Sequence, residues 1–176
     1  MNYRHLTAAC TAALALAGCS TVADLPAERI GSATLLLANG QPAGTVQILR
    51  AGNVTTMAVA VTGVSPGVHG IHLHTTGACK APDFTSAGGH LNPTGRTHGS
   101  LSAGGKHAGD LPNITVGAGG SGTLNADLTG SPEDVRGWLF DTDGTAVVLH
   151  ADPDDYRTDP SGNSGARIAC GVLRAS

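Results

Sequence analysis

Short apolar runs recur along this chain from residue 33 onward, several with period-two alternation and most closed by a turn signal. Ala33–Leu37 precedes Asn39-Gly40, a dipeptide suited to a two-residue hairpin turn. Thr45–Leu49 stops before Ala51-Gly52-Asn53, and Val54–Val61 stops at Gly63. Val68–His74, Leu111–Val116, Gly122–Leu128, Thr145–His150 and Ala166–Leu173 complete eight predicted strands. Ser131-Pro132-Glu133-Asp134 has the form of a helix start, with Ser as N-cap and Pro in the first helical position. It predicts one short helix to about Phe140. Residues 75–110 hold eight Gly and two Pro without a sustained period, and residues 151–165 are acidic and rich in turn formers. Both predict long functional loops. There is no internal repeat. The pattern predicts an all-β, antiparallel sandwich or barrel.

The N-terminus follows another logic. Arg4 precedes an apolar or small stretch from Leu6 to Gly18, too short to span a bilayer. The stretch ends in Leu16-Ala17-Gly18-Cys19, which resembles the lipobox of bacterial lipoprotein signals. Residues 1–18 are expected to be a signal peptide. Residues 19–30 would be a lipid-attachment Cys and tether, and residues 31–176 the domain. An ordinary secretory signal is the alternative. Ser20 after the Cys resembles the pattern for outer-membrane sorting. The expectation is an exported protein of the cell envelope or periplasm, touching the membrane only through lipid on Cys19. Cys79 and Cys170 then remain as one candidate pair in an oxidising compartment, the alternative being two buried free thiols.

Composition adds one anomaly. Net charge is −3, with no basic patch that would suggest nucleic acid, and mean hydropathy is +0.04. Five aromatic residues and 26 Gly fit short strands and turns. The 8 His are about twice what average usage gives. Six of them, from His69 to His107, lie within 39 residues. His72 and His74 stand at i, i+2, which puts both imidazoles on one face of a strand. His90, His98 and His107 follow in the Gly-rich loop, then Asp110. Three imidazoles and a carboxylate suit a closed tetrahedral zinc site, and imidazole suits copper as well. A lone His is more often surface or scaffold. Six clustered with an Asp are poorly explained that way.

At these residues a resemblance is plain. Gly67-Val68-His69-Gly70-Ile71-His72-Leu73-His74 and Gly88-Gly89-His90-Leu91-Asn92-Pro93-Thr94-Gly95-Arg96-Thr97-His98-Gly99 resemble the two signatures of copper/zinc superoxide dismutases. His107-Ala108-Gly109-Asp110-Leu111-Pro112-Asn113, His150-Ala151-Asp152-Pro153-Asp154-Asp155 and Gly162–Val172 continue the pattern, over about residues 30–174. The resemblance implies an eight-stranded Greek-key, immunoglobulin-like fold. It implies an enzyme that converts superoxide to O2 and H2O2 by alternate reduction and oxidation of copper.

The resemblance also implies roles. His72, His74, His90 and His150 match copper ligands; His90, His98, His107 and Asp110 match zinc ligands, with His90 shared. Asp154 matches the acid that orients one His on each side. Arg167 matches the cation beside copper that holds the anion, and Arg167 and His90 are the expected catalytic residues. Cys79 and Cys170 match the family's intra-subunit disulfide. His69 is expected to be scaffold. Monomer and homodimer both stay open. The chain departs from the family in the 151–165 loop, where Asp152, Asp154, Asp155, Arg157 and Asp159 replace any evident steering lysines. The segment around Trp138 has no evident counterpart. A copper-only dismutase or a copper-delivery module would lack ligands or the arginine, and this chain keeps them all. A passive metal store would need neither Arg167 nor Asp154.

Overall fold

The computed structural model describes residues 26–176. The signal segment and Cys19 lie outside the described residues. The strands are β1 (Glu28–Leu37), β2 (Pro42–Ala51), β3 (Val54–Thr62), β4 (Gly67–His69), β5 (Ile71–His74), β6 (Ile114–Val116), β7 (Ser121–Asp127), β8 (Ala146–His150), β9 (Arg167–Val172) and β10 (Arg174–Ala175). One helix, α1 (Pro132–Leu139), follows β7. The main sheet runs β5-β8-β9-β1-β2-β3-β7, with β10 also on β1, and every pairing is antiparallel. Strands β1, β2 and β3 are joined in sequence, while the chain crosses over from β3 to β5 and from β7 to β8, strands far apart in the sheet order. That is the Greek-key arrangement the resemblance implied. The sheet curls into a half-barrel.

All eight predicted strands are present, but the count is ten among the described residues. The predicted Val68–His74 strand breaks at Gly70: β4 pairs with β6, while β5 pairs with β8. Gly70 N–H donates to the Asp152 carbonyl and its own carbonyl accepts from His150 N–H, both at 2.8 Å. A Cβ on Gly70 would sit 2.7 Å from Ser164 Oγ, so the crossing takes a residue without a side chain. β1 starts at Glu28, earlier than the alternation suggested, and β10 adds a short partner to it.

The core follows period two. In β2 and β3, Val46, Ile48, Met57, Val59 and Val61 point inward between more exposed neighbours. β8 is buried on both faces. Val147 and Leu149 face the main core; Ala146 and Val148 face a small cluster with Phe84, Ala87 and Cys170. That cluster lies under the Cys79–Cys170 disulfide, which closes 91 residues. In the chain-entropy account such a loop stabilises the fold by roughly 4–5 kcal/mol. The bond ties the first long loop, with the 3-10 turn Thr85–Ala87, to β9. The helix is as predicted: Ser131 Oγ accepts from Asp134 N–H, and Val135 and Leu139 are buried.

Candidate metal centre

β5 puts Ile71 and Leu73 in the core and His72 and His74 on its opposite face. The first long loop is clipped to β5 through backbone. Leu91 N–H donates to the Leu73 carbonyl (2.8 Å), Leu73 N–H to the Gly109 carbonyl (3.0 Å), and Gly109 N–H to the Leu91 carbonyl (2.9 Å). These bonds set His90 opposite His74 and Asp110 opposite His72. β8 delivers His150 from the neighbouring strand.

Two clusters of predicted ligands result, each with its ligand atoms within 4.8 Å of one another; His72, His98 and Asp154 form a third such group. One is His72, His74, His90 and His150; the other is His90, His98, His107 and Asp110. His90 belongs to both, so the two clusters share one imidazole. All seven predicted metal-binding side chains fall in these two clusters. In the second cluster Asp110 Oδ1 lies 2.8 Å from His90 Nδ1 and 3.1 Å from the Nδ1 atoms of His98 and His107. Asp110 Oδ2 accepts from the N–H groups of Gly99 (2.8 Å) and His107 (2.9 Å), which fixes the carboxylate.

The far side of most rings meets a group that can only accept. His72 Nε2 donates to Asp154 Oδ2 (2.8 Å), and His98 Nε2 to Asp154 Oδ1 (2.9 Å). His74 Nδ1 donates to the Gly88 carbonyl (2.9 Å), and His150 Nδ1 points at the Gly165 carbonyl at 3.4 Å. Each acceptor places the ring proton on that nitrogen and leaves a lone pair on the other. Those other atoms are His72 Nδ1, His74 Nε2, His98 Nδ1 and His150 Nε2. All four, with His90 Nε2, are buried without a hydrogen-bond partner. Orphaned buried nitrogens are costly. Five in one place, with lone pairs converging, fit metal ions.

Burial keeps three of these rings neutral. Burial lowers His74 to a pKa of about 2, His90 to about 4 and His150 to about 3. Burial alone would raise Asp110 and Asp154. Hydrogen bonds outweigh it and hold both below the usual carboxylate range: from His90 and Gly99 N–H for Asp110, and from His72, His98 and Tyr156 N–H for Asp154. Since the folded-state values of His74, His90 and His150 are depressed, the unfolded chain takes up protons first as pH falls. The metal-free protein is therefore expected to lose stability from about pH 6.5 downward, by up to about 1.4 kcal/mol per pH unit for each such His until its folded-state value is reached. Urea titrations between pH 7.5 and 4.5 measure this; a flat midpoint would contradict it.

Arg167 opens β9 and is partly buried. Its guanidinium donates to the carbonyls of Phe84 and Gly88, both at 2.8 Å. Gly88 O also receives His74 Nδ1–H, so one carbonyl indexes the arginine to the four-His cluster. The positive charge of Arg167 helps to lower both His74 and His150. His69, as expected, is scaffold: its ring nitrogens face the carbonyls of His150 and Ser65, each at 2.9 Å.

A model of the copper/zinc superoxide dismutase (SODC) family matches residues 42–173. The chain belongs to the copper/zinc superoxide dismutase family. It is 37% identical over 175 residues to "Superoxide dismutase [Cu-Zn] 2" of Aquifex aeolicus, covering 97% of this chain and 99% of that one. The crystal structure of a SOD-like protein from Bacillus subtilis superposes with a TM-score of 0.75 at 37% identity, covering 81% of this chain and 97% of that one. Cu/Zn superoxide dismutase from Brucella abortus gives 0.66 at 25% identity, covering 85% and 100%. The two clusters suit the two metals that name the family, and the disulfide suits an oxidising compartment.

Around this dismutase site stand residues for which sequence reasoning assigned no role. Asn113 holds the backbone of Asp154 from both sides: Nδ2 donates to the Asp154 carbonyl (2.9 Å) and Oδ1 accepts from its N–H (2.8 Å). Tyr156 Oη accepts from Asn113 N–H at 2.8 Å. Gly162 has φ +65°, and a Cβ there would overlap the Asp154 carboxylate and lie 2.6 Å from His98 Nε2. Asn113 and Gly162 both fall inside the family motifs, which is the only sequence signal they carry.

Proposed function

We propose that this chain is a superoxide dismutase that holds copper with His72, His74, His90 and His150 and zinc with His90, His98, His107 and Asp110. The observation that carries this reading is the set of five buried, partnerless imidazole nitrogens pointing into two clusters that share His90. Bound copper supplies the reversible one-electron chemistry, and bound zinc supplies fixed charge without redox change.

The residues do the rest. Arg167 offers a fixed positive charge where an anion must dock, and its two carbonyl bonds keep it from swinging away. His90 has Nδ1 against Asp110 and a free Nε2 toward the other cluster, so Nε2 is the atom that can carry a proton to the reduced product. Asp154 fixes one ring in each cluster at once. The test is direct: protein loaded with both metals should dismutate superoxide in a cyanide-sensitive way. Protein that holds copper at the four-His site without dismutating would overturn the reading. Arg167→Ala is expected to lower activity by about 100- to 1000-fold with copper content kept, a larger effect than the loss of stability from its two carbonyl bonds. An unchanged rate would remove Arg167 from anion docking.

We also propose that residues 1–18 are removed as a signal and that Cys19 is acylated, placing the domain at the outer membrane of the envelope. There it would meet superoxide arising outside the cytoplasm. The LAGC sequence before Ser20 and the disulfide support this. Mass spectrometry of the mature N-terminus checks it; an unmodified Cys19 thiol would remove the anchor. Oligomeric state, monomer or homodimer, is read by sedimentation.

A further inference from the structure

The acids of the 151–165 loop have separate jobs. Asp154 bridges two rings. Asp155 folds the loop on itself, accepting from Arg157 N–H, Thr158 N–H, Thr158 Oγ1 and Asn163 Nδ2 at 2.6–2.9 Å. Asp159 reaches out of the loop to the other one. Its Oδ1 accepts from the backbone N–H of His98 at 2.7 Å and lies 3.9 Å from His107 Nε2.

With Nδ1 turned into the His90–His98–His107–Asp110 cluster as the zinc ligand, the His107 proton belongs on Nε2, the nitrogen turned toward Asp159. A carboxylate on the outer N–H of a ligating His raises the basicity of the ligating nitrogen. His98 already has Asp154 in that position, and His90 has no free outer nitrogen because it is shared. His107 is the remaining ring of the His90–His98–His107–Asp110 cluster, and Asp159 is the carboxylate facing it.

We propose that Asp159 is a positioning residue for zinc: its charge supports His107 as a ligand while the same oxygen holds the backbone of His98. This rests on the zinc-ligand reading above. The loop that carries Asp154 would then grip the zinc side at two points, His98 and His107, rather than one.

The two contacts separate by substitution. Asp159→Asn keeps an oxygen that can accept from His98 N–H but loses the charge; Asp159→Ala loses both. The mature protein, loaded with copper(I), which has no visible d–d absorption, is titrated with Co2+ to read the tetrahedral band. Zn2+ then displaces the cobalt to give the zinc affinity. Asp159→Asn is expected to weaken zinc and cobalt by about 10-fold, with copper content and metal-free melting temperature unchanged. The Asp159 side chain is 61% exposed, so the asparagine can be accommodated at the surface. If Asp159→Asn binds zinc as tightly as wild type, the inference is overturned and Asp159 only clamps backbone. If wild type takes up no tetrahedral cobalt, the ligand reading itself fails, and the inference with it.

Discussion

Substituting His150 with alanine is expected to abolish dismutation, by more than about 100-fold, and to strip copper while sparing zinc. The asymmetry follows from membership of the clusters. His150 belongs to the four-His cluster and is absent from the cluster containing Asp110. Its imidazole is buried, with Nδ1 toward the Gly165 carbonyl and Nε2 without a partner. Truncation removes one of four converging lone pairs and leaves the other three fixed by their outer bonds. Loss of one outer partner already costs 10- to 100-fold in affinity or activity at metal sites, and loss of a ligand exceeds that. The fold should survive, because the contacts that close this corner are backbone: His150 N–H to Gly70 O, and the His150 carbonyl to the His69 ring. Metal analysis of the purified variant, with the dismutation assay, checks both halves. A variant that keeps one copper per chain and wild-type activity would exclude His150 as a ligand. Arg167→Ala is the contrast, since it should slow the reaction with copper in place.

The strands were legible because period two and turn chemistry are local. Asn39-Gly40 predicts the β1–β2 hairpin, and Ser131-Pro132 predicts the start of α1. The break at Gly70 was not legible, because it comes from what crosses there: the Asp152 carbonyl and Ser164, 82 and 94 residues away. The candidate metal-binding side chains were legible from His spacing together with motif resemblance; spacing alone paired His72 with His74 and grouped His90, His98, His107 and Asp110, but it neither brought in His150 nor showed that His90 belongs to both clusters. Their outer partners divide the same way. Asp154 was read from a motif. Asn113 and Tyr156 act through hydrogen bonds between loops that no local pattern records. Asp159 stood in the sequence only as an acid where steering charge was looked for. In the structure that acid, though largely exposed, accepts from the His98 backbone N–H and faces the His107 ring.

Asp154 carries the other large effect, and its asparagine variant is the sharper probe. Both carboxylate oxygens accept, one from His72 Nε2–H and one from His98 Nε2–H, with the Tyr156 N–H also on Oδ1. The side chain is fully buried, so nothing else takes over. Asp154→Ala leaves two buried ring N–H groups unpaired, each costing about 1–3 kcal/mol, and should weaken zinc by about 100-fold. Asp154→Asn keeps the shape but offers only one accepting atom toward the pair. Its amide NH2 must face the other ring, which then accepts at Nε2 and carries its proton on Nδ1. Nδ1 is the atom that His72 turns toward the four-His cluster and His98 toward Asp110. One tautomer switch therefore blocks one metal site. The expected product is a protein deficient in one metal, with its melting temperature little changed in the metal-free form. The Cu:Zn ratio after loading reads which ring switched: loss of zinc names His98, loss of copper His72. Full occupancy of both sites at wild-type affinity would show that Asp154 does not set either tautomer.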